Sequence, residues 1–417
     1  MHILLIHQAF ASLNEPGGTR HHELARYLVS KGHRVTIIAS PVSYLTGKAG
    51  AGKDGWVKRQ EEDGVIILRA YTYTALHRSF FHRLLSFISF MFSSFWAGMR
   101  LRQVDIVWGT TPPIFQGVTA WALARLKRAR FLFEVRDLWP DFAIEIGVLR
   151  SQALIKASRW LEAFLYRHAD QVLVNSPGFI EHVQERGARK VELVPNGSDP
   201  RMFDPQADGS RFRQAHGLEG KYVVMYAGAH GLANDLATVL SAAELLTDHP
   251  EITLALLGDG KEKPALMKLA ASKGLKNVLF LPPLSKLAMP EALAAADACL
   301  AVLKPLPLFR TVYPNKVFDY MASAKPVILA IQGVIQQVIE ETQAGIAIPP
   351  GDAAAMAKAI RELAENRALG NEMGQRGRRY VETHFDRAAL AEKLEKILQA
   401  MIVEDNQNAD VQQRNAA

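Results

Sequence analysis

The residues best suited to chemistry lie in Arg310–Leu329, RTVYPNKVFDYMASAKPVIL. Val317, Tyr320 and Met321 recur at i, i+3 and i+4, the spacing of a short helix with one buried face. Asn315 and Lys316 then stand at the helix mouth, where unpaired backbone N–H groups and the macrodipole favour an anion. Asp319 lies one turn further in, where a carboxylate can accept hydrogen bonds from sugar hydroxyls. Together these suit a sugar nucleotide, although a capped surface helix with an incidental lysine fits the same spacing. A second cluster is Arg136-Asp137-Leu138-Trp139-Pro140-Asp141, at the end of a strand expected over Phe131–Val135. Open parallel sheets bind ligands beyond the carboxyl ends of their strands, so RDLWPD is placed for chemistry. An Arg–Asp pair shaping a loop is the other reading. Glycine loops complete the set: Gly17-Gly18 follows a first strand, and Gly258-Asp259-Gly260-Lys261 follows a later one.

These residues need strands to deliver them, and the chain supplies two series. Ile3–Ile6, a glycine loop, a helix over Arg20–Ser30 and Val35–Ala39 make a βαβ unit without the spacing G-x-G-x-x-G. Val65–Ala70, Val104–Trp108, Phe131–Val135, Val172–Asn175 and Val191–Val194 continue the strands, with a helix over Ala120–Leu126. Polar, irregular Arg201–Gly220 reads as the linker, and Lys48–Asp63 as a mobile loop. A second alternation runs through Tyr222–Ala227, Leu236–Leu246 (a helix), Thr253–Leu257, Val278–Phe280, Ala298–Val302, Val327–Leu329 and Gly345–Ile348. The expected fold class is α/β, two doubly wound Rossmann-like domains facing across a cleft. We expect domains at 1–200 and 201–385, a closing helix at 386–402 and a disordered tail at 403–417.

Composition narrows the function. A chain of 417 residues, 49% hydrophobic, can bury two cores. Its one cysteine, Cys299, rules out an internal disulfide. The start, MHILLIHQAF, has no basic leader region and reads as a strand. The net charge of +7 is uneven: residues 1–200 hold 25 Lys+Arg against 17 Asp+Glu, and the remainder 24 against 25. The first half therefore expects an anionic partner, phosphate or membrane surface, and without interleaved aromatics not nucleic acid. Leu84–Met99 is uncharged and aromatic, shorter than the roughly 20 residues that span a bilayer. Arg78, Arg83, Arg100 and Arg102 flank it, and Ser86, Ser89, Ser93 and Ala97 form a narrow small-residue stripe. A buried core helix and an interfacial helix both fit.

The motifs HQAF, EPGGTRHHELA, FEVRDLWPD, LVPNGSD, YAGAHGLAND, LGDGKEK and YPNKVFDYMASAKPVI, in this order, resemble the retaining family 4 glycosyltransferases of the GT-B fold. Within that family the chain looks most like bacterial L-fucosamine (N-acetylfucosamine) transferases of O-antigen and capsule assembly. The resemblance implies a nucleotide-sugar donor, UDP-linked, in the C-terminal half. It implies a lipid-linked (polyprenyl diphosphate) saccharide acceptor in the N-terminal half, and no cofactor or metal. The last helix is expected to cross back to the first domain. Departures stand out: the family's E-x7-E pair falls on Thr311 and Asp319, its Arg and Lys on Ala229 and Asn234, and its His on Arg136.

On this reading Lys316 and the backbone at 313–316, including Tyr313 and Asn315, bind the diphosphate, with Arg310, Lys261 and Lys304 as further cations. Gly17 and Gly18 touch it from across the cleft, Asp319 binds ribose, and Gly258, Asp259, Gly260 and Lys261 shape the donor site. Asp137 and Arg136 are the expected catalytic pair, with Glu15 and Asn196 on the acceptor side. The enzyme is expected to be cytoplasmic and peripherally attached to the anionic inner membrane. A silent sugar-nucleotide-binding subunit and a sugar-nucleotide epimerase are the alternatives.

Overall fold

HILLI, the first strand, β1 (His2–Ile6), is buried along its whole length. A strand apolar on both faces must be covered on both faces, which makes it the middle of a parallel sheet. The computed structural model describes residues 1–42, 56–74 and 80–416, with backbone alone at 80 and 404–416. The chain divides into two compact units. The first comprises Met1–Ser12, Gly18–Pro195 and Ala388–Ala417, and the second Leu13–Gly17 and Asn196–Arg387.

After β1 the first unit runs α1 (Arg20–Ser30), β2 (Arg34–Ala39), β3 (Val57–Glu62), β4 (Val65–Ala70) and α2 (Phe80–Met99). It continues through β5 (Ile106–Thr110), α3 (Phe115–Lys127), β6 (Arg130–Val135), α4 (Asp141–Glu145) and α5 (Gln152–His168). β7 (Gln171–Val174), α6 (Ile180–Glu185) and β8 (Val191–Leu193) end the series. The strand order is β3-β4-β2-β1-β5-β6-β7-β8, and every pairing is parallel except β3 with β4. β3 falls inside the stretch expected to be a loop; residues 48–55 of that stretch lie outside the described residues. Its sequence, VKRQEE, carries no apolar alternation, because it is an exposed edge strand with little to bury.

The second unit begins with α7 (Ser210–His216) in the segment read as a linker. Phe203, Phe212 and Leu218 are buried in this unit's core, so the stretch is part of the unit and not a spacer. Next come β9 (Tyr222–Ala227), α8 (Leu236–Glu244), β10 (Ile252–Leu257), α9 (Lys263–Ser272), β11 (Val278–Leu281) and α10 (Met289–Ala294). β12 (Ala298–Val302), α11 (Asn315–Ala322), β13 (Val327–Ala330), α12 (Val334–Thr342), β14 (Gly345–Ala347), α13 (Ala353–Glu365) and α14 (Arg367–His384) follow. The six strands are all parallel, in the order β11-β10-β9-β12-β13-β14. The two-residue period of β9 feeds two cores. Val223, Met225 and Ala227 enter one, and Tyr222, Val224 and Tyr226 the other.

The last helix, α15 (Arg387–Ala416), packs Leu390, Ala391, Leu394, Leu398 and Met401 into the core of the first unit beside Ile3, Leu24 and Leu28. Its backbone continues past Ile402 to Ala416, where the sequence was expected to lose structure. Two doubly wound α/β sheets in one chain are the GT-B architecture expected from the sequence.

Candidate functional site

In the second unit, β9 is the point where the sheet reverses: β10 and β11 build to one side and β12 to β14 to the other. Loops leaving neighbouring strands at such a point diverge and leave a crevice for a ligand. Three loops meet here. Lys304 N–H, after β12, donates to Ala233 O, after β9, at 2.9 Å. The N–H of His230 donates to Asp259 O at 2.8 Å, and the N–H of Glu262 to His230 O at 2.9 Å. A Cβ on Gly258 would stand 1.8 Å from Gly228 O, so this stacking of backbones requires glycine.

α11 delivers the cation. Tyr320, fully buried, accepts the N–H of Ala227 at 2.9 Å and donates to Ala227 O at 3.2 Å, pinning α11 to the end of β9. One turn earlier, Lys316 lays its Nζ 4.0 Å from the centre of the Tyr226 ring. Among the described residues this half-buried ammonium has no hydrogen-bond or ion-pair partner, and burial pulls it down to about 7. A cation over an aromatic face is stabilised, but less than by a counter-ion. An arriving anion would restore its charge.

Asp319 is not free for a ribose. Its Oδ1 accepts from Ser198 Oγ at 2.7 Å, and its Oδ2 from Lys286 Nζ at 2.6 Å and Asn315 Nδ2 at 3.2 Å. The shorter Asp, where the family carries Glu, is held inward by a buried lysine and fixes the first turn of α11. Asn315 is held as well, its Oδ1 accepting from Arg387 Nη2 at 2.8 Å. Asn196, expected on the acceptor side, belongs to the second unit and donates to Tyr313 O at 2.7 Å. Glu15 and Gly17 also group with the second unit, and Gly18 with the first. Arg310 is exposed and bonds Gln332 Oε1 at 3.0 Å, while Lys261 is exposed.

His230 was not singled out from the sequence. Its imidazole is fully buried with neither nitrogen hydrogen-bonded, and burial with Lys263 and Lys316 pulls it down to about 4. Lys263 was missed too: its Nζ donates to Gly258 O at 2.7 Å and Leu281 O at 2.8 Å, tying the loop after β10 to the end of β11. The signal for both was their place in YAGAHGLAND and LGDGKEK.

In the first unit, β1, β5 and β6 end together, and the Arg136–Asp137 step follows β6 directly. Arg136 Nε donates to Thr110 Oγ1 at 3.0 Å and Thr111 O at 2.7 Å, and its Nη2 to His7 Nε2 at 3.0 Å. A guanidinium only donates, so His7 accepts at Nε2 and carries its proton on Nδ1, a buried atom without a partner. Burial is the main cause that keeps His7 neutral, with Arg136 adding to it. Asp137 Oδ1 is buried without a partner, and burial pushes its carboxyl up to about 6. The pair is therefore not the loop-shaping ion pair.

Behind it, Glu134 accepts from Arg20 Nε at 3.0 Å and His21 Nε2 at 2.5 Å. Burial alone would raise this carboxyl, but His21 and Arg20 hold it well below the usual range. A crevice beside these strand ends is lined by Gln8, Ala9, Ser40, Val42, Ser86, Phe87 and Pro113. Among the described residues no group of three or more His, Cys, Asp or Glu is arranged to hold a metal.

Residues 17–197 match the model of the glycosyl transferase 4-like domain, and residues 221–366 that of the glycosyl transferases group 1. WcaI of Escherichia coli K12, described as a colanic acid biosynthesis glycosyl transferase, is 27% identical over 370 residues, 85% of this chain and 90% of that one. Sucrose-phosphate synthase from Thermosynechococcus elongatus superposes with a TM-score of 0.76 at 18% identity, covering 97% of this chain and 99% of that one. Anabaena HepE, solved with UDP and glucose, gives 0.72 at 18% identity, covering 96% and 100%.

Proposed function

Since the chain belongs to the family 4 glycosyltransferases of the GT-B fold, we propose that it moves a sugar from a UDP-linked donor, with retention, onto a lipid-linked saccharide in polysaccharide assembly. The observation that carries this reading is Lys316: a half-buried ammonium without a counter-charge among the described residues, at the reversal point of the second sheet. Retaining transfer needs the departing diphosphate stabilised while the acceptor hydroxyl attacks from the same face. Lys316 and the backbone N–H groups at the mouth of α11 supply that stabilisation, typically a few kcal/mol for each donor. This cation stands in for the family's Arg and Lys, whose positions hold Ala229 and Asn234. Asp319, clamped by Lys286 and Ser198, acts as a positioning residue that holds Asn315 and Lys316 in register.

Asp137 and Arg136 work on the acceptor side, where a carboxylate that titrates near 6 can take up the hydroxyl proton at neutral pH. The sugar we propose is an N-acetylated amino or deoxyamino sugar such as L-fucosamine. Of all these assignments the donor is the quickest to test. A thermal-shift panel of UDP, GDP, ADP and dTDP sugars should raise the melting temperature with UDP sugars, and slow release of UDP without acceptor should follow. A panel with no shift for any nucleotide would overturn the assignment; a shift without UDP release would favour a silent binding subunit.

A further inference from the structure

We propose that the outer face of α2 docks onto an anionic lipid bilayer. The helix is built inside out. Its inward side is mostly small and hydroxylic, with Ser86, Ser93, Ser94 and Ala97 buried beside one large ring, Phe90. Ser93 Oγ donates to Tyr71 O at 2.6 Å, and Ser86 Oγ accepts from Gln8 Nε2 at 3.3 Å. A Cβ on Gly98 would stand 2.5 Å from Leu123, so the helix lies tight on α3. Four large apolar side chains point the other way: Phe81, Phe92, Trp96 and Met99 are 64, 57, 59 and 38% exposed. At 100° per residue these four fall within roughly 60° of one line about 27 Å long. A contiguous apolar stripe of this kind marks an interaction site, whereas a helix that only fills a core turns such residues inward.

Charge selects the partner. No Asp or Glu occurs between Asp63 and Asp105, while that stretch contains Arg83, Arg100 and Arg102 besides the buried Arg69 and Arg78, which lies outside the described residues. Lys127 Nζ donates to Met99 O at 3.2 Å and Leu101 O at 2.6 Å, bringing the C-terminal ends of α2 and α3 together. Exposed Arg100, Arg102, Arg125 and Arg128 thereby gather at one end of the stripe, beside exposed Leu126. Aromatic rings that enter the acyl boundary, with arginines at the level of the phosphates, match an anionic bilayer. A second copy of this face would bring more arginines and no carboxylate. The inner side of the same helix lines the crevice at Gln8, Ser40 and Ser86, so docking would set that crevice near the lipid. Only this last point rests on the lipid-linked acceptor; the docking does not.

Sedimentation of the full chain with vesicles tests it. Phosphatidylglycerol-containing vesicles should bind the protein at low salt and more weakly, though still measurably, at high salt; phosphatidylcholine vesicles should bind less. The Phe92→Ser/Trp96→Ser double variant should lose the salt-resistant part, about tenfold or more in affinity, with an unchanged melting temperature because both rings are exposed. Arg100→Glu/Arg102→Glu should lose the salt-sensitive part. Both variants should release UDP from a soluble donor as wild type does, which keeps failure of docking distinct from failure of the transferase reading. Docking is overturned by no binding to anionic vesicles at low salt, or by equal binding of the double serine variant. It is also overturned by a chain that dimerises in solution through these rings and ignores vesicles.

Discussion

Replacing Lys316 by Met gives the most direct test of the donor site. Met keeps the apolar stem over Tyr226 and removes the ammonium. Pulling that ammonium from its ordinary 10.5 to about 7 costs at most about 5 kcal/mol at 1.36 kcal/mol per decade, and less for a side chain that is only half-buried. The variant should therefore melt no lower than wild type, while UDP binding weakens by about 1.5–3 kcal/mol, roughly 10- to 150-fold. The sign of the pH dependence follows from the lowered value. Between about 7 and 10.5 the unfolded chain holds a proton that the folded chain has released, so wild-type stability rises with pH across that window. Bound diphosphate reverses this by restoring the charge. UDP binding should weaken above pH 7 and be accompanied at pH 8 by uptake of about one proton. Calorimetry in two buffers of different ionisation enthalpy measures the uptake, and Lys316→Met should abolish it. Unchanged UDP affinity in the variant, or a large loss of stability, would refute the reasoning.

Further outcomes are expected at Asp137, Lys286 and Asp319. With Asp137 titrating near 6, kcat/KM should fall as pH drops below about 6, and Asp137→Asn should lose both turnover and that limb. The same raised value makes the folded chain hold its proton longer than the unfolded one. Stability should thus fall as pH rises from about 4 to 6 in wild type by more than in the Asn variant, as pH-dependent melts would show. Lys286→Met leaves Asp319 buried without its counter-ion and should cost about 3–5 kcal/mol, roughly 6–20 °C in melting temperature. Asp319→Ala, which frees Lys286 in turn, should also lower the melting temperature and is not a clean probe of ligand contact.

Much of this was legible in the sequence because local pattern and tertiary role coincide. HILLI, YVVMYA and ACLAV announce central strands by being apolar on both faces, and they are central strands. YPNK announces a helix mouth, and α11 starts at Asn315. What stayed hidden depends on pairs that no period encodes. Asp319 read as a free acceptor because Lys286 is 33 positions away and Ser198 is 121 positions away. Asn196 read as an acceptor-side residue because its partner, Tyr313, is 117 positions away. VKRQEE read as loop because an exposed edge strand has no buried face to reveal it.

The packing of α15 also bears on the order in which the protein can be made. Leu390, Ala391, Leu394, Leu398 and Met401 complete the core around Leu24, Leu28 and Ile37, yet they are synthesised only after the stretch Asn196–Arg387 of the second unit. After Pro195 leaves the ribosome, the whole second unit must follow before Ala388 appears. At about 5–20 residues per second this leaves the apolar face of the first unit uncovered for about 10–40 s on every nascent chain. The second unit, continuous but for Leu13–Gly17, faces no such delay. Although it is translated later, it can close its core first, and the amino-terminal unit finishes folding only once α15 has been made.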